Sequence, residues 1–91
     1  MAFEWDPSKA DTNRSKHGIP FEEAATVFDD ALFLVFEDPD HSIDERRFLI
    51  MGQSAQGRLL VVAHTERDDV IRIISAREAT QKERVTYEEG L

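Results

Sequence analysis

The sequence predicts one α+β domain, residues 1–91, with an antiparallel sheet of four main strands, two N-terminal helices and one C-terminal helix. Four apolar, β-prone segments follow one another, and the last three are joined by short turns that suit an antiparallel meander. Two helix signals precede these segments and one follows them. The most β-prone segment is Val70–Arg77, which carries three isoleucines and two arginines.

The first helix is predicted from Pro7 to Lys16, because Asp6 suits the N-cap position and Pro7 the first helical position. Gly18 is a suitable C-terminal stop. A short extended segment, Phe3-Glu4-Trp5, precedes this helix and suits a small edge strand outside the four main strands. The helix has almost no apolar stripe, and one of its sides gathers Lys9, Asn13, Lys16 and His17. That pattern is typical either of an exposed helix or of a polar site face, and the sequence leaves both open.

The other two helices have clearer signals. The second helix buries an apolar stripe at helical spacing, formed by Phe21, Ala24, Ala25 and Phe28. The third helix begins at Thr80, because Thr80 and Glu83 match the capping box, and it ends at Gly90. An earlier capping box at Ser75 would cut into the last strand and is therefore disfavoured.

The four strands are predicted at 31–36, 46–51, 58–65 and 70–77. Side chains alternate along a strand, so Arg72 and Arg77 are expected on opposite faces of the last strand unless a bulge intervenes. Both faces of that strand are mostly apolar and need cover. Three small helices are thin cover for two faces, so a protein partner is expected on part of the sheet.

Charge and composition exclude several classes of protein. The net charge is -8, and it is concentrated in residues 1–45, which carry -9, against +1 for residues 46–91. An acidic chain is repelled by a polyanion at long range, which argues against nonspecific DNA coating. The sequence has no cysteine, so it has no disulfide framework and no thiolate metal site. No segment resembles a signal peptide or is long enough to cross a membrane, so a cytoplasmic protein is expected.

A series of short motifs, in this order, spans nearly the whole chain. They are Phe3-Glu4-Trp5-Asp6, Lys16-His17-Gly18, Phe21-Glu22-Glu23-Ala24, Glu45-Arg46-Arg47, Gly57-Arg58-Leu59-Leu60, Ile71-Arg72-Ile73-Ile74-Ser75-Ala76-Arg77 and Lys82-Glu83-Arg84. In this order and spacing the chain resembles the BrnT family, the toxins of type II BrnT/BrnA toxin–antitoxin systems.

The resemblance implies a RelE-like fold and a ribonuclease that arrests growth by cleaving RNA. It also implies a cognate BrnA-like antitoxin with a DNA-binding domain, so that the toxin would meet DNA only through its antitoxin. A homodimer or a 2:2 complex with the antitoxin is the expected assembly.

Metal-independent RNA cleavage needs proton carriers and fixed cations for the phosphate. The expected catalytic residues are His17, Arg46, Arg67 and Arg77. The expected substrate-binding residues are Lys16, Arg58 and His64. No cofactor or metal is expected, because the acidic segment 38–45 matches no calcium-loop pattern.

Each of these residues also has a structural alternative. His17 is suited to hydrogen-bonding the last carbonyls of its helix, and Arg77 to pairing with Glu78 or Glu83. Arg67 lies in a predicted hairpin tip, where a solvated charge is usual. Arg46 is adjacent to Glu45 and suits either a base-and-clamp pair or a surface pair, and His64 suits a half-buried structural position.

Two other functions remain open at this point. The chain could be a noncatalytic module that docks one partner on its sheet, or a degenerate toxin that has lost activity. RNA cleavage by the isolated chain discriminates both from an active ribonuclease.

Overall fold

The computed structural model describes residues 2–38 and 46–90. Within them the chain forms β1 (Ala2–Glu4), α1 (Pro7–His17), α2 (Phe21–Thr26), a 3-10 turn (Val27–Asp29), β2 (Leu34–Glu37), β3 (Phe48–Gln53), β4 (Leu59–Arg67), β5 (Val70–Glu78) and α3 (Gln81–Glu89). The strands form one sheet in the order β1-β5-β4-β3-β2. No helix in this part of the chain has the length and apolarity needed to cross a membrane.

The α+β class is confirmed, but the prediction of a four-stranded antiparallel sheet is wrong in detail. The N-terminal segment is a fifth strand, and β1 runs parallel to β5, pairing Phe3 with Ile71 and Glu4 with Arg72. The sheet is therefore mixed. The other neighbours are antiparallel as expected. A three-residue strand has too few positions to show a period, and its partner lies almost 70 residues away in the chain.

Most element boundaries differ from the predictions by one to three residues. The second α-helix is shorter than predicted: it ends at Thr26, and the chain continues as the 3-10 turn. A tight turn follows at Asp30. The Asp30 carboxylate accepts a hydrogen bond from the Leu32 N–H at 2.9 Å, and the Asp30 carbonyl accepts one from the Phe33 N–H at 3.2 Å. For this reason β2 begins at Leu34 rather than at Ala31. The predicted metal-free acidic loop lies mostly in residues 39–45, outside the described residues.

One face of the sheet, called here the helix face, packs against α2, the 3-10 turn and part of α1. Its buried cluster includes ten residues: Ile19, Phe21, Ala24, Val27, Ile50, Leu60, Val62, Ile71, Ile73 and Ala76. The other face, called here the open face, has a much smaller buried cluster of Met51, Leu59 and Val61, with Tyr87 of α3 packed against it. None of the residues of α3 is itself buried.

A β-bulge in β5 decides which face its arginines occupy. Ala63 pairs with Ser75 while the next residue of β4, His64, pairs with Ile73, so Ile74 is an extra residue without a partner opposite. Beyond the bulge the alternation of β5 is shifted by one.

As a result, Arg72 and Arg77 lie on the same face. Arg72 is opposite Thr65 and Arg77 is opposite Val61. Thr65 and Val61 are four residues apart on β4 and share a face, and residues directly opposite one another share it too. The expectation of opposite faces is therefore wrong, because a local insertion in one strand has no signature in its periodicity.

Candidate functional site

Helix α1 is fixed to the edge of β5 by one buried asparagine. Strand β1 pairs with β5 only as far as Arg72, so the outer edge beyond it needs another partner. The Asn13 side chain supplies one, since its Oδ1 accepts from the Ala76 N–H at 3.0 Å and its Nδ2 donates to the Ala76 carbonyl at 2.9 Å. Nδ2 also donates to the Ile19 carbonyl at 3.0 Å. The amide therefore acts as a strand neighbour and orients the polar side of α1 along β5.

A cleft of about 260 Å³ lies between α1 and β5 beside this anchor. Its lining is Ser8, Lys9, Thr12, Asn13, Lys16, His17, Ile74 and Ser75. Two ammonium groups, one imidazole and several hydroxyls face one small space, while no carboxylate contributes to the lining. This arrangement suits an anionic ligand.

Lys16 and His17 occupy the last turn of α1, and both are exposed. The helix ends at Gly18, whose φ of 70° is left-handed and whose N–H donates to the Arg14 carbonyl at 2.9 Å. Within the described residues the His17 ring makes no hydrogen bond to a last-turn carbonyl. Its imidazole lies exposed at the cleft.

Arg58 links the C-terminal end of α1 to the buried Glu23. Its Nε donates to Glu23 Oε2 at 2.9 Å, and its Nη2 donates to Glu23 Oε1 and to the Gly18 carbonyl, the latter at 3.2 Å. Glu23 is buried and also accepts from Ser54 Oγ at 2.7 Å. The Arg58 hydrogen bonds hold the pKa of Glu23 below its ordinary value against the effect of burial. The guanidinium thus joins α1, α2 and β4 at the point that carries His17, and this pairing supports a positioning role.

Arg77 projects from β5 on the open face and pairs with α3. Its Nη1 and Nη2 donate to the two carboxylate oxygens of Glu83 at 2.8 and 2.9 Å, the bidentate arrangement that favours arginine. These hydrogen bonds are the main reason why the pKa of Glu83 falls to about 2. The pairing with Glu83 is the structural alternative raised from the sequence. Nη1 also donates to the Glu78 carbonyl at 3.3 Å. The Arg77 side chain is still 40% exposed.

His64 is fully buried on the helix face. Its ring packs edge-on against Phe28 at 4.9 Å between centroids and near Phe48 at 5.8 Å, and Nε2 lies 3.2 Å from a carboxylate oxygen of Glu66. Burial lowers the pKa of His64 despite this carboxylate. A ring in this position does not reach a ligand at the surface, so the burial favours the structural alternative over substrate binding.

The last two expected residues lie away from the cleft. Arg46 precedes β3 and donates to Glu37 at 2.7 Å, and its guanidinium lies 5.4 Å from the Phe48 ring centroid. The predicted neighbour Glu45 lies outside the described residues. Arg67 ends β4 at the tip of the β4–β5 hairpin.

Arg67 is six residues along β4 from the residue opposite Arg77, a separation of about 20 Å by the strand rise. The structure therefore does not bring Arg67 and Arg77 together at one phosphate. It brings Lys16 and His17 together at the cleft, and Arg58 binds the end of the helix that carries them.

Sequence reasoning did not assign a role to several of the cleft residues. No ligand-binding role is predicted for Ser8, Thr12 or Ser75, and Lys9 is predicted only as part of the polar side of α1. The signal for the α1 residues was present, since polar pairs recur on three successive turns at 8–9, 12–13 and 16–17. Ser75 carried no signal, because its position at the cleft depends on the bulge.

Comparison with known proteins decides the family. The model of the family described as "Ribonuclease toxin, BrnT, of type II toxin-antitoxin system" matches residues 5–83. The chain belongs to this family. The crystal structure of the ribonuclease toxin BrnT of Brucella abortus is similar, with a TM-score of 0.70 and 25% identity over 89% of this chain and 99% of that chain. No curated protein sequence matches.

Membership of the BrnT family confirms the resemblance and the toxin–antitoxin class, and it implies an antitoxin partner. The roles of individual residues are not tested by these comparisons. In the described part of the chain, no three His, Asp or Glu side chains are grouped as metal ligands.

Proposed function

We propose that this chain is a metal-independent endoribonuclease that acts in the cytoplasm, arrests growth and is neutralised by a BrnA-like antitoxin. The observation that carries the proposal is the cleft between α1 and β5, where Lys9, Lys16 and His17 converge in a chain whose net charge is -8. Family membership supplies the reaction class.

The chemistry assigned to the cleft is attack of a ribose 2′-oxygen on the adjacent phosphorus. The bond to the 5′-oxygen breaks, and a 2′,3′-cyclic phosphate and a 5′-hydroxyl end result. His17 transfers a proton to or from one of these oxygens, and Lys16 and Lys9 bind the phosphate oxygens. The hydroxyls of Thr12 and Ser75 offer further hydrogen bonds to the backbone of the RNA.

We propose that Arg77 extends this site. Ser75 lines the cleft and lies on the open face, and Arg77 follows it on the same face two residues later, about 7 Å away by strand rise. Glu83 holds the guanidinium in a fixed orientation, so little side-chain entropy is lost when the partly exposed Arg77 binds a phosphate. This geometry supports the catalytic role expected for Arg77.

Growth provides the first test. The chain is induced alone and then together with the neighbouring reading frame, and growth and bulk RNA are followed. Arrest with RNA loss that the neighbour relieves is the expected result. Normal growth at confirmed soluble expression contradicts the toxin function.

Cleavage by the purified chain tests metal independence. We expect full activity in EDTA, with His17→Ala inactive and the exposed α1 variant Ser15→Ala as the matched active control. Loss of activity in EDTA that Mg²⁺ restores would contradict the metal-independent mechanism.

A noncatalytic docking module remains the second candidate, because apolar side chains are exposed on the outer strand β2. The two functions separate cleanly in the assay above. A folded chain that binds a partner and never cleaves RNA would support docking alone.

A further inference from the structure

Three polar side chains of β5 form a straight row on the open face, called here the β5 row. Its members are Arg72, Ser75 and Arg77, and their partners on β4 are three alternate residues, so all three side chains project from one face. Alternate residues of a strand are about 7 Å apart, which places the two arginines at equal distances on either side of Ser75. Without the bulge at Ile74, Arg72 and Ser75 would lie on opposite faces.

The guanidinium of Arg72 is only weakly engaged by the rest of the fold. Its side chain is 46% exposed, and it forms an ion pair with Glu4 of β1 at 3.6 Å, which is longer than a hydrogen bond. Glu4 is itself 55% exposed, and an ion pair between two exposed side chains contributes little to stability. Within residues 2–38 and 46–90 the Arg72 guanidinium makes no hydrogen bond. Its donors can therefore turn to an anion with little loss of stability.

The β5 row passes through the cleft in which RNA cleavage is proposed. Ser75, at the centre of the row, lines that cleft together with Lys16 and His17. Arg77 extends the site on one side of Ser75, and Arg72 lies at the same distance on the other side. A step of about 7 Å is close to the distance between successive phosphates of an extended nucleic-acid strand. A strand that crosses the cleft along β5 therefore meets a hydrogen-bond donor at each of three successive phosphates.

We propose that the β5 row binds an extended single strand of RNA, and that Arg72 binds a phosphate that is not cleaved, on the side of the cleft away from Arg77. This inference rests on the proposed cleavage of RNA in the cleft. Contacts to phosphate carry no base information, so the contribution of Arg72 is the same for every base sequence. A straight row suits an extended strand, whereas the backbone of an RNA duplex curves away from it. The carboxylate of Glu4 repels the same phosphate and weakens its binding.

The test measures binding separately from cleavage. A tetranucleotide and a dinucleotide are made with 2′-O-methyl riboses, which lack the attacking hydroxyl and are not cleaved. Their binding to the full chain is measured by fluorescence anisotropy over a range of salt concentrations. The variants are Arg72→Ala and Glu4→Gln. Arg14→Ala is the matched control, because Arg14 is an exposed arginine of α1 that lines neither the cleft nor the row.

We expect the tetranucleotide to bind more tightly than the dinucleotide. Arg72→Ala should weaken tetranucleotide binding about fivefold and lower its salt dependence by about one phosphate contact, with the dinucleotide unchanged. Glu4→Gln should have the opposite sign and strengthen tetranucleotide binding. Arg14→Ala should leave the preference for the longer strand unchanged.

Equal affinities of the two oligonucleotides, or equal effects of Arg72→Ala and Arg14→Ala, would overturn the proposal, as would tighter binding of an RNA hairpin stem. If Arg72→Ala and Glu4→Gln lower Tm and leave the affinities unchanged, the ion pair only holds β1 and the proposal is wrong. Cleavage of the same sequences with unmodified riboses separates the two proposals. Cleavage without any length dependence contradicts the β5 row alone, and length-dependent binding without cleavage contradicts the ribonuclease function alone.

Discussion

Replacing Asn13 with alanine tests how α1 is held against the sheet. The side chain makes three hydrogen bonds to buried backbone groups of Ala76 and Ile19. Each contributes about 1 kcal/mol net, so their sum is about 3 kcal/mol. Alanine returns about 0.5 kcal/mol through its higher helix propensity. The expected loss of unfolding free energy is therefore about 2 to 3 kcal/mol.

A loss of this size is large for the domain. A chain of this length has an unfolding free energy of roughly 5 to 14 kcal/mol, and each kcal/mol shifts Tm by about 4 to 8 °C. The assay is urea unfolding, with Ser15→Ala as the control for helix propensity at an exposed position of α1. Amide hydrogen exchange at Ala76 should accelerate in the Asn13→Ala variant more than exchange in β4.

The functional consequence follows from the same contacts. Without Asn13 the polar side of α1 is no longer fixed along β5, so cleavage should fall even under conditions in which the variant remains folded. A loss below about 1 kcal/mol, with unchanged exchange at Ala76, would refute the reasoning that the amide replaces a missing strand neighbour.

Three further outcomes are expected. The pKa of Glu83, about 2, lies below its ordinary value of 4.5, so the stability from its pairing is present above pH 4.5 and is lost as the pH falls toward 2. In the Glu83→Gln variant, the unfolding free energy measured with urea should change less between pH 4.5 and pH 2 than it does in the unmodified chain. The pKa of His64 lies below 6.5, so stability should decrease as the pH falls below about 6.5, and His64→Leu should remove that decrease. Arg77→Ala should lower the RNA cleavage rate by about 10²–10³ and Arg72→Ala by only a few-fold, by analogy with oxyanion donors; the reverse order would show that Arg72 is the phosphate clamp.

The helix ends were largely predictable, because local chemistry determines them. Asp6 accepts from the Ser8 N–H at 2.8 Å, and Thr80 and Glu83 form the reciprocal capping box read from the sequence. Gly18 and Gly90 adopt the positive φ that a C-terminal stop requires. Each of these features depends on a few neighbouring residues.

The sheet was less predictable, because its decisive features are not local. The direction of β1 depends on a partner almost 70 residues away in the chain. The bulge at Ile74 depends on the register between β4 and β5, which the alternation of either strand alone does not report. One inserted residue was enough to move Arg77 to the face that also carries Arg72.

The candidate site was predictable as a set of residue types but not as a geometry. The motif around Lys16 and His17 indicated a site at the end of α1, and the structure places both at the cleft. The ion-pair partners of the arginines were not predictable from the sequence, since Glu23 is 35 positions from Arg58. For an arginine, the pairing in the fold decides whether it positions other groups or stays open to a ligand.

The way α1 is attached explains how a helix without an apolar stripe can build a site. A helix of this kind is usually held by little and lies exposed. Here hydrogen bonds replace apolar packing, because Asn13 fixes one side of the helix to β5 and Arg58 fixes its C-terminal end through the Gly18 carbonyl. Because these two attachments hold the helix, Lys16 and His17 are not needed to pack it against the core. A cationic surface can therefore be kept next to a sheet edge in an acidic protein, and its side chains can change without disturbing the packing of the helix face.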